Sequence, residues 1–283
     1  MTRPALPMTP ELAARLDGRP LMLLLDIDGT LSPIAPRPDI AIVPAATRRA
    51  LRELERHSDV HVAVISGRSV HDARRLVGVP GVWTIGNHGF EVAPPDQPPS
   101  VRDDVLQFAE RVRAAGGRAI ALGERVPGVV VEDKRWTLSV HYRLADPGVV
   151  PQLADEVHAI ARDHGLVVTH GKKILELRPP IRIDKGSAAV ELANQLGALG
   201  DGASLVAAGD DRTDEDMFRA LRARMPSCVT VRVGEDASAH ETAAEFRIPD
   251  PAAMREFLEL VLARRTQADA GRQAAGDGGA AAS

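Results

Sequence analysis

Cysteine is nearly absent: Cys228 is the single one in 283 residues, which rules out an intramolecular disulfide and argues against a secreted, disulfide-stapled fold. No apolar run reaches the ~18 residues that a spanning helix needs. The opening stretch MTRPALPMTPELAARLDGRP has neither the positive-then-apolar pattern nor the cleavage motif of a signal peptide. A cytoplasmic protein is the expectation. Excess positive charge is missing too: the formal net charge is -4, so there is no basic footprint for nucleic acid or for an anionic membrane. The expected partner is a small molecule, the expected state a monomer, and any anion-binding site must be built locally. Aromatics amount to 3%, and lysine is confined to Lys134, Lys172, Lys173 and Lys185 beside abundant arginine and alanine, which fits a genomic composition bias. That scarcity makes each lysine more informative.

The charged and apolar fractions, 26% and 44%, are those of an ordinary globular protein, and the length accommodates a large α/β domain with a substantial insertion. LMLLLDIDGTLSPI, residues 21–34, is an apolar strand that runs into Asp26 and Asp28 and turns at Gly29. On a strand, residues i and i+2 share a face, so the two carboxylates are expected side by side, about 6–7 Å apart along the backbone. Such a pair requires a cation or a shared proton, unless the aspartates simply start a turn. Helix-like VPAATRRALRELERH, strand-like VHVAVISGR, helix-like SVHDARRLVG and strand-like GVWTIGNHG follow. Their strands end in polar residues: Ser66, Gly67 and Arg68, then Asn87 and His88. Repeated units of this kind predict a parallel sheet with its ligand at the carboxyl edge of the strands.

After the proline-rich APPDQPPS the texture changes. One helix (VRDDVLQFAERVRAAG), two strands (GVVVEDKRW, TLSVHYR), a second helix (GVVPQLADEVHAIARDHG) and two more strands (LVVTH, KKILELRP) predict a small α+β unit with helices on one sheet face. RPPIR leads back to the earlier pattern. DKGSAAVELANQLG reads as a helix with Asp184 as N-cap and Gly197 as stop, and SLVAAGDDRTDEDMFRAL as strand, acidic cluster and helix. SCVTVRVG is a further strand and DPAAMREFLELVLARR a terminal helix. The predicted fold is α/β, a Rossmann-like doubly wound parallel sheet core with an inserted α+β cap domain. Residues 1–97 and 179–265 are expected to form the core, 98–178 the cap, and the low-complexity 266–283 a disordered tail. Residues 94–100 and 179–182 are candidate hinges, and Trp83, Met217 and Phe218 are expected in the core.

DIDGT (26–30), SGR (66–68), Lys185 at a helix start and GDDRTDEDMF (209–218) fall at four strand or helix ends, and in this order they resemble the four motifs of the haloacid dehalogenase superfamily of phosphohydrolases. The resemblance implies Asp26 as the nucleophile that forms an aspartyl-phosphate. It implies Asp28 as the general acid that protonates the leaving oxygen and then activates water. It also implies Mg2+, whose preference for oxygen ligands suits the Asp26 carboxylate, the Asp28 backbone carbonyl and the late cluster. There Asp210 is the expected ligand, Asp211 touches the ion or stands behind it, and Asp214 stands behind it or caps the following helix. Ser66 and Lys185 become the phosphate clamp, with Gly67 and Arg68 beside it and backbone N–H groups near Gly29 and Thr30 adding donors. Taken alone, Ser66 reads as well as a helix N-cap and Lys185 as a solvated surface lysine.

Within the insertion, period-two reading puts Glu132 and Lys134 on one face, Ser139, His141 and Arg143 on one face of the next strand, and Glu176 with Arg178 opposite the apolar Leu175 and Leu177. Such a face suits polyhydroxyl recognition, and equally the solvated outside of a two-layer cap. GNHGFE, VEDKRWTLSVHYR and GKKILELRPP followed by DKG resemble the trehalose-6-phosphate phosphatase family, over residues 21–262. That resemblance implies hydrolysis of trehalose 6-phosphate in trehalose biosynthesis. It implies Glu132, Lys134, His141, Arg143 and Glu176 as sugar contacts, with Asn87 and His88 at the core edge facing the cap. Where family members often carry a bulky aromatic near the KG turn, this chain has Ile183. Rival readings are a sucrose-phosphate or glucosylglycerate-phosphate phosphatase of the same cap type, a noncatalytic sugar-phosphate-binding module, and a phosphomutase, whose chemistry usually goes with the other cap position.

Overall fold

Every residue of β1 (Leu21–Leu25) is buried, as a strand covered on both faces requires. The computed structural model describes residues 6–171, 173–234 and 242–280, with side chains through residue 272; Lys172 and the last three residues of the expected tail lie outside them. In chain order the larger sheet contains β1, β2 (Val60–Ile65), β3 (Trp83–Gly86), β4 (Glu91–Ala93) and β5 (Ser100–Val101). The chain then leaves it for β6 (Val130–Asp133), β7 (Leu138–His141), β8 (Val167–Gly171) and β9 (Ile174–Arg178), and returns with β10 (Ser204–Gly209), β11 (Val229–Val233) and β12 (Phe246–Ile248). The large sheet has the order β12-β11-β10-β1-β2-β3-β4-β5, parallel from β12 to β3, with β4 and β5 antiparallel at its edge.

The helices are α1 (Pro10–Leu16), α2 (Ala45–Glu55), α3 (Val70–Val77), α4 (Asp103–Leu106), α5 (Ala109–Arg125), α6 (Val150–Asp163), α7 (Lys185–Gln195), α8 (Arg212–Arg224) and α9 (Pro251–Ala280). Strand periodicity sends Leu21, Leu23 and Leu25 into a cluster with Leu51 of α2, Ala73 of α3 and Phe257 of α9. Met22 and Leu24 point the other way, into a cluster with Leu192 of α7 and Phe218 of α8. Met217 and Phe218 are fully buried as expected, whereas Trp83 lies partly buried at that cluster's margin. Truncating Leu24 to alanine between these layers removes contacts worth about 2–5 kcal/mol.

The smaller sheet, β6-β7-β9-β8, is antiparallel. Its apolar face, Leu138, Val140, Leu175 and Leu177, packs with Val112 and Ala119 of α5 and Leu153 and Val157 of α6. The register sets Glu132, Ser139, Glu176 and Thr169 in one row across the opposite face. That face is turned to the core.

Three expectations need correction. Ser100 and Val101, assigned to the cap and its hinge, pair with β4 in the large sheet, so the crossing into the insertion comes after them. The helix expected from Val101 is two, α4 and α5, offset at Gln107 and Phe108. The segment from residue 266, expected to be disordered, continues α9, and Asp269 accepts hydrogen bonds from Arg19 Nη2 (2.8 Å) and lies 2.7 Å from His57 Nδ1. Alanine, the best helix former, recurs through this stretch, and the low-complexity reading overlooked that propensity. Among the described residues no helix is long and apolar enough to cross a membrane.

Candidate active site

β1, β2, β3 and β10 run parallel, so their carboxyl ends bring Asp26, Ser66, Asn87 and Asp210 to one edge of the sheet. Asp26 follows β1 directly, and its N–H still bonds the Ala208 carbonyl at 2.9 Å. The chain then turns, with the N–H groups of Leu31 and Ser32 both on the Ile27 carbonyl at 2.9 Å. Gly29 has φ 87°, and a Cβ there would stand 2.2 Å from Asp210 Oδ2. Glycine is needed for the left-handed backbone and for the close approach.

Because β1 ends at Leu25, Asp26 and Asp28 do not sit as neighbours on one pleated face, contrary to the spacing read from the sequence. Each meets its own cation. Lys185 Nζ donates to Asp26 Oδ1 at 2.7 Å, while Arg68 donates to Asp28 from Nε (2.6 Å) and Nη2 (2.7 Å). Arg68, expected beside the phosphate, is thus a fork on the Asp28 carboxylate, and its Nη1 reaches the Pro38 carbonyl at 3.1 Å.

Lys185 is the first residue of α7, placed there by Asp184, which caps the helix by accepting from Ser187 N at 2.7 Å. Far from being a solvated lysine, it is 2% exposed and donates also to Asp214 Oδ1 at 2.8 Å. Burial opposes its charge, yet Asp214 and Asp26 hold its pKa well above the ordinary lysine value. Asp214 Oδ2 accepts from Asp210 N and Asp211 N, both at 3.0 Å. Both of its oxygens are therefore committed to donors that fix the acidic loop. Asp211, expected to touch a metal ion or to stand behind it, caps α8, accepting from Thr213 N (2.8 Å), Thr213 Oγ1 (2.7 Å) and Asp214 N (3.2 Å). Burial raises its pKa, but Lys185 and these donors hold it well below the usual carboxylate range.

One carboxylate oxygen from each of Asp26, Asp210 and Asp214 lies within 4.8 Å of the others. The Asp210 carboxylate accepts no hydrogen bond among the described residues. Burial pushes the pKa of Asp26 and of Asp210 up, against Lys185 and with the help of neighbouring aspartates. Crowded, buried, oxygen-only donors short of positive charge fit a hard divalent cation, with Asp26 and Asp210 as the side chains free to bind it. The Asp28 carboxylate, held by Arg68, is outside this group.

Ser66 is 2% exposed and its Oγ accepts from Arg68 N at 3.2 Å. It is not a helix cap; Ser69 has that role for α3, accepting from Asp72 N. Gly67 leaves room for His88: a Cβ on it would stand 2.5 Å from His88 Nε2.

Asn87 and His88 both have left-handed backbones, φ 49° and 55°, which turns them toward the insertion. Asn87 is fully buried and fully engaged: Nδ2 donates to Glu91 Oε2 (3.0 Å) and the Lys134 carbonyl (3.3 Å), and Oδ1 accepts from Thr137 Oγ1 (2.9 Å). Its committed groups make it a bridge between core and cap. His88 Nε2 lies 3.7 Å from Glu176 Oε2, and its buried Nδ1 has no partner among the described residues. Burial lowers the His88 pKa to about 4 despite Glu176. Lys134 Nζ donates to Glu176 Oε1 at 3.1 Å, as does Thr137 Oγ1 at 3.3 Å. Burial raises the Glu176 pKa, but Lys134, His88 and Arg178 outweigh it and bring it down to about 2.

The remaining sugar candidates stand apart from this buried group. His141 Nε2 lies 2.9 Å from Glu132 Oε2, and His141 and Arg143 line a small cavity with Arg37 and Pro38 of the loop after β1. The structure thus divides the candidates into a closed seam (Asn87, His88, Lys134, Glu176) and a rim (Glu132, His141, Arg143).

The family profile described as trehalose-phosphatase matches residues 24–252. The chain belongs to the trehalose-phosphatase family. A trehalose-phosphate phosphatase of Mycobacterium avium is 40% identical over 246 residues, covering 86% of this chain and 62% of that protein. The chain therefore spans less than two thirds of that relative's length. Among solved structures, a trehalose-6-phosphate phosphatase related protein superposes with a TM-score of 0.76 at 26% identity, covering 87% of this chain and 99% of that one. The C-terminal domain of the Candida albicans trehalose-6-phosphate phosphatase superposes with 0.75 at 26% identity, covering 93% and 99%.

In this trehalose-phosphatase family member the sequence reading passed over Glu91, Trp136 and Thr137. Glu91 accepts from Val70 N (2.9 Å), Asn87 Nδ2 (3.0 Å) and Trp136 Nε1 (2.9 Å). Its place four residues after Asn87, inside GNHGFE, was the available signal. Trp136, one of two tryptophans in a chain with few aromatics, carried its own signal.

Proposed function

We propose that this chain hydrolyses trehalose 6-phosphate to trehalose and phosphate, with Mg2+ bound by Asp26 and Asp210. The observation that carries the reading is the pairing of Lys185 with Asp26 beside Asp210 at the sheet edge, the edge at which His88 meets Glu176 of the cap sheet at 3.7 Å. Asp26 attacks phosphorus as its carboxylate; the bond from phosphorus to the sugar oxygen breaks, and Asp28, with one oxygen released from the Arg68 fork and carrying a proton, delivers that proton to the sugar oxygen. Asp28 then removes a proton from water, which attacks the aspartyl-phosphate and returns Asp26. Bound Mg2+ supplies charge neutralisation for the phosphoryl oxygens. Lys185 and Ser66 donate to those oxygens, each worth a few kcal/mol in the transition state. Arg68 orients Asp28.

Sugar hydroxyls are donors and acceptors at once, so they match the alternation of Lys134 and Glu176 at the seam and of His141 and Glu132 at the rim. Asn87, Lys134 and Glu176 of the seam are buried against the core, which requires the cap to swing away for entry and to close for chemistry. Magnesium-dependent phosphate release from trehalose 6-phosphate, beside glucose 6-phosphate and sucrose 6-phosphate, tests the reading. Preference for trehalose 6-phosphate is expected; comparable turnover of all three overturns the substrate assignment.

A further inference from the structure

Glu91 is 5% exposed, at the start of β4, and receives three hydrogen bonds from three different parts of the molecule: the first turn of α3, Asn87, and the cap residue Trp136. All three partners are N–H donors, so only an acceptor on both oxygens satisfies them. Trp136 belongs to the turn between β6 and β7, is 3% exposed, and packs against Phe90 and Val105 beneath the Arg135 guanidinium, 4.8 Å from its ring centre. The residues flanking this turn are Lys134 and Thr137, and both donate to Glu176. On the core side, Asn87 precedes His88. Among the described residues Glu91 thus makes no side-chain hydrogen bond to Lys134, Thr137, Glu176 or His88, yet it anchors the two segments that carry them.

We propose that Glu91 is a positioning residue that seats the cap on the core through Trp136 and Asn87, setting the Lys134–Glu176 pair opposite His88 for recognition of the sugar part of the substrate. The inference rests on the sugar-phosphatase reading for its kinetic consequence. Phosphoryl transfer itself, which uses Asp26, Asp28 and Lys185, does not depend on this seat. A phosphate ester with no sugar gains nothing from the seam.

The test compares wild type, Trp136→Phe, Glu91→Gln and the double variant on trehalose 6-phosphate and p-nitrophenyl phosphate. Phenylalanine keeps an aromatic ring against Phe90 and Val105 while removing the N–H and part of the indole, and it leaves Glu91 itself intact, so this variant guards against misfolding in Glu91→Gln. Each single change is expected to lower kcat/KM for trehalose 6-phosphate about tenfold, mainly through KM, as befits loss of a hydrogen bond to a buried charge. Turnover of p-nitrophenyl phosphate should stay within about twofold, and the double variant should be no worse than the worse single one. Equal losses on both substrates, or no loss on either, overturn the proposal. In a Trp83→Phe background, acrylamide quenching of Trp136 should rise on Glu91→Gln; unchanged quenching overturns it too. That arm needs no turnover, so a wild type that hydrolyses p-nitrophenyl phosphate but not trehalose 6-phosphate removes the substrate reading while quenching still decides the role of Glu91.

Discussion

Arg68 holds Asp28 in a fork, with Nε at 2.6 Å from one carboxylate oxygen and Nη2 at 2.7 Å from the other. Arg68 is 7% exposed and its guanidinium is tethered by the Pro38 carbonyl, so the pair is formed before any substrate arrives. Planarity matters here: an ammonium keeps the charge but cannot make two parallel bonds. Arg68→Lys is therefore expected to lower kcat about 10-fold or more with little change in KM, read by steady-state phosphate release.

Asp26 and Asp210 yield a pH-dependent prediction. Burial, with repulsion from neighbouring aspartates, outweighs Lys185 and raises both pKa values to about 7. Between the ordinary carboxylate range and that value the folded protein without metal binds more protons than the unfolded chain, so these groups make stability fall as pH rises through the window. Mg2+ binds the ionised carboxylates and displaces those protons. Saturating Mg2+ is expected to raise Tm by about 3–6 °C near pH 7.5 and by much less near pH 5. Differential scanning fluorimetry of the same protein at both pH values checks it, and Asp210→Asn should abolish the difference.

Glu176 is paired with Lys134, both buried at the seam, and faces the partly buried His88. Glu176→Gln keeps the shape and removes the charge, leaving Lys134 without its counter-ion. For trehalose 6-phosphate a fall in kcat/KM of about 10–100-fold is expected, with hydrolysis of p-nitrophenyl phosphate nearly unchanged. A parallel loss on both substrates would place Glu176 outside sugar recognition.

Much of this site was legible because its chemistry sits where local sequence signals are strongest. Apolar strands stopping at Asp26, Ser66 and Asp210 announce a parallel sheet and its functional edge together, and Asp184 announces the helix that delivers Lys185. Less visible were relationships that depend on three-dimensional partners. Asp211 and Asp214 look alike in sequence; their roles separate only when Asp211 caps α8 and Asp214 meets Lys185. Asn87 reads as a polar residue at an open edge, and it is buried because Thr137 and the Lys134 carbonyl come down on it from the cap. Short β4, β5 and β12 carry too few residues for a period to emerge, and they form because a neighbouring strand edge is available.

Asp26 bears the central claim: the proposed attack on phosphorus needs its carboxylate, to which the buried Lys185 donates at 2.7 Å. The most direct measurement is phosphate release from trehalose 6-phosphate with Mg2+ by wild type and Asp26→Asn, with Tm recorded for both. Wild-type turnover, a loss of about 10⁴-fold or more in the variant, and retention of a cooperative thermal transition are expected. Wild-type turnover in a folded Asp26→Asn variant would contradict the assignment of Asp26 as nucleophile.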